Sequence, residues 1–208
     1  MTPTPAAPLR VVLIDDENLI RSALAMMLDL EDDLEVVAQA STAADGVAAL
    51  QEHQPDVALV DLQLPDGDGI EVCSRLPEIS PDTRAMILTS HARPGYLKRA
   101  LEIGVLGFLA KTTASEELVA AVRSVAAGRR AIDPEVAAET ISAGDSPLTP
   151  READVLEFAA DGASIEQIAR RAHLAPGTVR NYLSAAQAKV QAANRHEAVA
   201  IARRHGWI

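Results

Sequence analysis

Val11-Val12-Leu13-Ile14-Asp15-Asp16-Glu17 is a four-residue apolar run that ends abruptly on three acids. An unbroken apolar run this short, rich in β-branched residues, reads as a strand buried on both faces. Such strands belong to parallel sheets covered by helices. The neighbouring sequence repeats the theme. Val57–Val60 is a second apolar run, ending on Asp61 and followed by the turn-rich Leu64-Pro65-Asp66-Gly67-Asp68-Gly69. Further strands are predicted at Leu34–Ala40, Ala85–Thr89 and Val105–Leu109. Helical spacing covers Asn18–Leu30, Ala43–Gln51, Ile70–Leu76, Tyr96–Ile103 and Glu116–Ala127. Strict alternation of strand and helix predicts an α/β domain over residues 9–127, a five-stranded parallel sheet of the (βα)5 type.

The tail is different. Gly128–Pro147 collects Gly128, Pro134, Gly144 and Pro147 around a short helix at Pro134–Ile141, and reads as a linker. From residue 148 to 208 the pattern is helical only. Thr149, with Pro150 and Glu152, forms a capping-box signature, and Ser164 with Gln167 forms a second. His173–Gly177 is a tight turn, Thr178–Val190 a third helix, and Asn194 caps a fourth.

Composition narrows the function classes. The 208 residues carry a net charge of −11, with the halves unequal. Residues 1–146 hold 11 basic and 24 acidic side chains, or −13; residues 147–208 hold 8 and 6, or +2. One cysteine, Cys73, excludes an internal disulfide and a multi-cysteine zinc site. Cys73 reads as a small core residue. No apolar run reaches a membrane span, and Met1–Pro8 lacks the pattern of a secretory signal. The expectation is a cytoplasmic protein with no direct membrane association.

Three aspartates end strands: Asp15 and Asp16 after the first, Asp61 after the third. In an open parallel sheet the carboxyl ends of these strands flank the topological switch point, where ligands bind. Carboxylates converging there repel one another unless a hard divalent cation sits between them. Oxygen donors of this kind suit Mg²⁺. A carboxylate held beside such a cation is a candidate nucleophile toward a phosphoryl group. Thr89, ending the fourth strand, and Lys111, after the fifth, can bind transferred phosphoryl oxygens.

VVLIDDE (11–17), ALVDLQLPDGDG (58–69), MILTSH (86–91) and GFLAK (107–111) together resemble the flavodoxin-like receiver domain of two-component response regulators. The resemblance implies that Asp61 takes a phosphoryl group from a sensor histidine kinase. It implies a Mg²⁺ site at Asp15, Asp16, Asp61 and the Gln63 backbone carbonyl, with Thr89 and Lys111 on the phosphoryl oxygens. It also implies that Phe108 is the aromatic switch residue responding to Thr89; a plain core aromatic is the other reading. Thr112 departs from the family, where proline is common after the lysine.

Residues 148–190 resemble the LuxR-type helix-turn-helix of the NarL/FixJ family. The match runs through Leu148–Glu152, Val155-Leu156, Gly162, Gln167-Ile168-Ala169, Gly177-Thr178-Val179 and Asn181. RNYLSAA and the Gly206-Trp207-Ile208 end are most similar to the DesR-like branch. On the third helix of this tail, Val179, Leu183 and Ala186 recur at core spacing, which leaves Arg180, Asn181 and Ser184 exposed to read base edges. Thr178 and Lys189 suit phosphates, and Arg170 and Arg171 are either further phosphate contacts or ordinary surface arginines. Ala175 stands where the family often has a serine cap, and Gln191 where it has glycine.

A +2 module neutralises few phosphates and binds weakly alone. Two modules on two half-sites compensate, so a homodimer on double-stranded promoter DNA is expected, formed on phosphorylation. The resemblance implies pairing through the last helix, Arg195–Arg204, and a receiver face. Trp207 packs either at such an interface or within its own domain. The reading is a regulator, not an enzyme. Its rivals are a phosphorylation-independent regulator of the same fold and a Mg²⁺-dependent phosphohydrolase using Asp61. The second lacks a general-acid aspartate two residues on, where Gln63 stands. RNA binding is disfavoured by an aromatic content of 2%.

Overall fold

The computed structural model describes residues 7–90, 94–143, 146–160, 162–205 and 207–208. His91, Asp161 and Gly206 therefore lie outside the described residues. Contacts divide the chain into two units, one within Met1–Ala92 and Arg99–Asp133, the other within Arg93–Lys98 and Pro134–Ile208.

In the first unit the strands β1 (Leu9–Ile14), β2 (Leu34–Ala40) and β3 (Val57–Asp61) alternate with the helices α1 (Asn18–Leu28) and α2 (Ala43–His53). A hairpin of β4 (Gln63–Leu64) and β5 (Gly67–Asp68) follows, then α3 (Gly69–Ser74) and α4 (Leu76–Ile79). Next come β6 (Arg84–Thr89), α5 (Pro94–Glu102), which the division between the units cuts after Lys98, β7 (Gly107–Ala110), α6 (Ser115–Ala126) and β8 (Ala131–Ile132). The main sheet is parallel throughout, in the order β2-β1-β3-β6-β7-β8. The expected five strands are present. The sixth, two-residue β8, comes from the segment read as linker and adds itself to the edge beside β7. The helix expected over Ile70–Leu76 divides at Arg75 into α3 and α4, with Pro77 entering the first turn of α4.

Burial explains the sequence pattern. Val11, Val12, Leu13 and Ile14 are all buried because β1 lies inside the sheet with helices over both faces. Val11, Leu13, Leu59, Met86 and Leu88 pack with Ala25 and Leu28 of α1 and Leu118, Val122 and Val125 of α6. Strand order reverses between β1 and β3, whose register pairs Ile14 with Val60. The residues that follow each partner are Asp15 and Asp61, so the two acids emerge side by side.

The second unit holds α7 (Pro134–Ala143), α8 (Pro150–Phe158), α9 (Ile165–Arg171), α10 (Pro176–Lys189) and α11 (Arg195–Arg204). Thr149 and Ser164 each close a capping box with Glu152 and Gln167, as their spacing predicts. The Asn194 side chain accepts from the Glu197 backbone N–H. Val155, Leu156, Ile168, Val179, Leu183, Ala186 and Ala198 form the common core of α8–α11.

Candidate functional site

The first site lies beyond the carboxyl ends of β1 and β3. Oxygens of Asp15, Asp16 and Asp61 all come within 4.8 Å of one another. Asp15 and Asp61 are buried and Asp16 half-buried. The Lys111 ammonium enters from the end of β7, 2.8 Å from Asp15 Oδ2 and 2.9 Å from Asp61 Oδ2. Its backbone N–H donates to the Thr89 carbonyl at 2.8 Å, tying the carboxyl ends of β6 and β7 together. Thr89 itself is buried at the end of β6, opposite Ala110.

Close backbone packing holds Asp61 in place. The Gly69 N–H donates to the Leu62 carbonyl at 2.9 Å. A Cβ on Gly69 would stand 2.0 Å from the Asp61 carbonyl oxygen, so only glycine fits there. The Asp68 carboxylate caps α3 by accepting from the Ile70 N–H at 2.9 Å, and pairs with Arg99 of α5 at 3.1 Å. This pair joins the hairpin after Asp61 to a helix of the next β/α unit. Asp68 was not among the candidates, because its role depends on a helix 31 residues away.

Burial pushes the Asp61 carboxyl up, against the pull of Lys111, to about 6. Burial alone would pull Lys111 down, but Asp61, Asp15 and Glu17 outweigh it and hold the ammonium above its ordinary range. The carboxylate donor set fits a hard divalent cation of the Mg²⁺ class. Phe108 is buried in β7 between Ile87 and Ile132. Burial pushes the Cys73 thiol up to about 12, the state of an inert core thiol.

In the second unit α10 buries Val179, Leu183 and Ala186 and exposes Arg180, Asn181 and Ser184, as its spacing predicts. Thr178 is half-buried in the first turn. The N-cap, Ala175, makes no side-chain cap bond, and Gln191 adopts a left-handed φ of 56° past the other end. Lys189 is paired within the unit: its ammonium lies 2.7 Å from Glu152 Oε2. The Arg171 guanidinium stacks 4.6 Å over the Phe158 ring, which engages it in the fold. Trp207 packs against the α8–α11 core and stacks on His205 at 4.6 Å, so the intradomain reading describes its contacts here.

Residues 11–123 match the response regulator receiver domain, and residues 146–202 match the LuxR family of bacterial regulatory proteins. The chain belongs to the LuxR-family response regulators. It is 40% identical to the transcriptional regulatory protein DesR of Bacillus subtilis over 197 residues, covering 95% of this chain and 98% of the other. It is 36% identical to the DNA-binding transcriptional activator DevR/DosR of Mycobacterium tuberculosis, covering 93% of each. Among solved structures, the response regulator ChrA of a heme-sensing two-component system matches with a TM-score of 0.57 and 31% identity. That match covers 98% of this chain and 100% of ChrA. This response regulator is thus a DNA-binding transcriptional regulator of the two-component class. The phosphohydrolase reading of the acidic site gains no support from any of these relatives. No helix among the described residues is long and apolar enough to cross a membrane.

Proposed function

We propose that Asp61 is the phosphoacceptor of this cytoplasmic regulator and that a sensor histidine kinase is its donor. The observation that carries the reading is the Lys111 ammonium 2.9 Å from Asp61 Oδ2, at the edge of a three-carboxylate cluster. With its pKa near 6, Asp61 is mostly ionised at neutral pH and able to attack phosphorus. One Asp61 oxygen forms the new P–O bond as the P–N bond of the donor histidine breaks. Lys111 and Thr89 then meet the phosphoryl oxygens. Mg²⁺, held by Asp15, Asp16, Asp61 and the Gln63 backbone carbonyl, would supply charge neutralisation at that centre.

The same proposal assigns residues 9–127 to the receiver, 128–147 to a linker and 148–208 to the DNA-binding domain. Thr89 and Phe108 carry the switch, and the phosphorylated chain forms a homodimer on promoter DNA. Arg180, Asn181 and Ser184 read base edges because α10 exposes all three on one side. Thr178 and Lys189 meet phosphates, Lys189 with its Glu152 partner still bound. Sedimentation of wild type and Asp61→Asn with Mg²⁺ and acetyl phosphate tests the whole reading. A monomer-to-dimer shift in wild type alone is expected. No shift in either protein would favour the phosphorylation-independent regulator.

A further inference from the structure

Lys111 has more carboxylate around it than phosphoryl transfer asks for. Besides Asp15 and Asp61, Glu17 Oε1 lies 2.8 Å from its ammonium. An ammonium has three N–H donors, and here each has a carboxylate partner. Asp61 is the acceptor, and Asp15 belongs to the cluster suited to a cation. Glu17 belongs to neither role. Its side chain is 50% exposed, whereas that of Lys111 is only 5% exposed. It is nonetheless fixed in place, since its backbone N–H donates to Asp15 Oδ1 at 2.8 Å. It is also the N-cap of α1, yet its carboxylate makes no cap bond and is spent on Lys111 instead.

The geometry points to Glu17 as a specificity residue that discriminates between phosphodonors by charge, disfavouring free dianionic donors at Asp61. The inference rests on the phosphoacceptor reading above. Two effects act in the same direction. Glu17 is a third carboxylate near the acceptor, after Asp15 and Asp16, and repels an anion approaching from solvent. It also occupies one N–H of Lys111, the lysine that on this reading meets the incoming phosphoryl oxygens. A donor that is itself part of a protein surface brings binding energy from elsewhere to overcome that repulsion. A small free anion has none.

The test uses the full chain and two donors. Acetyl phosphate is a dianion at pH 7 and phosphoramidate a monoanion; in each case the donor's bond to phosphorus breaks as Asp61 gains the phosphoryl group. Intact-mass kinetics with Mg²⁺ should show Glu17→Gln speeding acetyl phosphate about 3–10-fold and phosphoramidate less, with the gap narrowing as salt rises. Glu17→Asp keeps the charge and should stay near wild type. Equal acceleration of both donors, or none, overturns the inference. A second readout needs neither metal nor phosphorylation. In ¹⁵N-lysine-labelled, metal-free protein, the buried and fully bonded Lys111 ammonium should give a signal that Glu17→Gln weakens by faster solvent exchange. An unchanged signal means the Glu17 link is absent and overturns the inference by itself. A weakened signal with no phosphorylation of either protein by either donor instead removes the phosphoacceptor reading, and the donor role falls with it.

Discussion

Asp61 sets burial against pairing. Its carboxyl is driven to about 6 because desolvation outweighs the help from Lys111. The unfolded chain keeps an ordinary carboxyl near about 3.9. The folded protein therefore binds this proton more tightly, and ionising Asp61 costs folding free energy. That cost is absent below about pH 4, grows between about pH 4 and 6, and is complete above, on the order of 3 kcal/mol. Asp61→Asn removes the titrating group, while Lys111 keeps Asp15 and Glu17. The variant should gain stability over wild type, and the gain should widen as pH rises from 4 to 7. Denaturant titrations at each pH measure the gap; a gap that is constant or shrinks over this range would mean that burial is not what raises Asp61. The residues themselves were legible from sequence because each ends a strand of a parallel sheet. The third partner of Lys111 was not, since nothing in the Asp-Asp-Glu run says which acid turns toward a lysine 94 residues on.

At the scale of elements, the legible features were those with a local signal. The apolar run of β1, the two capping boxes and the core stripe of α10 are written in adjacent residues. β8 is not: two residues, Ala131 and Ile132, form a strand only because β7 offers a free edge. The Glu152–Lys189 pair also escaped notice. It joins α8 to the end of α10 and engages the Lys189 ammonium within the fold. Burial tends to raise the Glu152 carboxyl, but Lys189 and the Thr149 cap bonds hold it below the usual carboxylate range. A lowered folded pKa gives stability that is present above about pH 4.3 and lost as pH falls through the folded value. Glu152→Gln should therefore lower the melting temperature of the C-terminal unit at pH 7 and flatten its acid-side decline, as followed by helical circular dichroism from pH 3 to 7. The opposite change is expected just beyond that same end of α10. Gln191 holds a left-handed φ of 56° that glycine adopts without penalty. Gln191→Gly should stabilise the protein by about 1 kcal/mol in urea unfolding. A loss of stability there would mean that the Gln191 side chain makes a compensating contact.

Charge organises the whole molecule more than size does. The −13 of residues 1–146 and the +2 of residues 147–208 are the clearest sequence-level division of the chain, and the two matched families fall on either side of it. So weak a positive balance cannot hold DNA through phosphate neutralisation alone, because few neutralised phosphates release few counterions. On the proposed function, base contacts and pairing of two chains supply the rest. Arg180 is the most consequential single residue on this view: it is exposed on α10, and a guanidinium reads guanine with two hydrogen bonds. Arg180→Ala should weaken binding to a specific operator by about 1–3 kcal/mol while changing non-specific binding much less. Fluorescence anisotropy on the operator and on a scrambled duplex, each across a salt series, separates the two effects. A uniform loss on both duplexes with a shallower salt slope would instead make Arg180 a phosphate contact. Repeating the series with acetyl phosphate links this interface to the acceptor, because wild type should gain affinity and Asp61→Asn should not. A gain that survives in Asp61→Asn would separate DNA binding from phosphorylation and leave the acidic site with some other task.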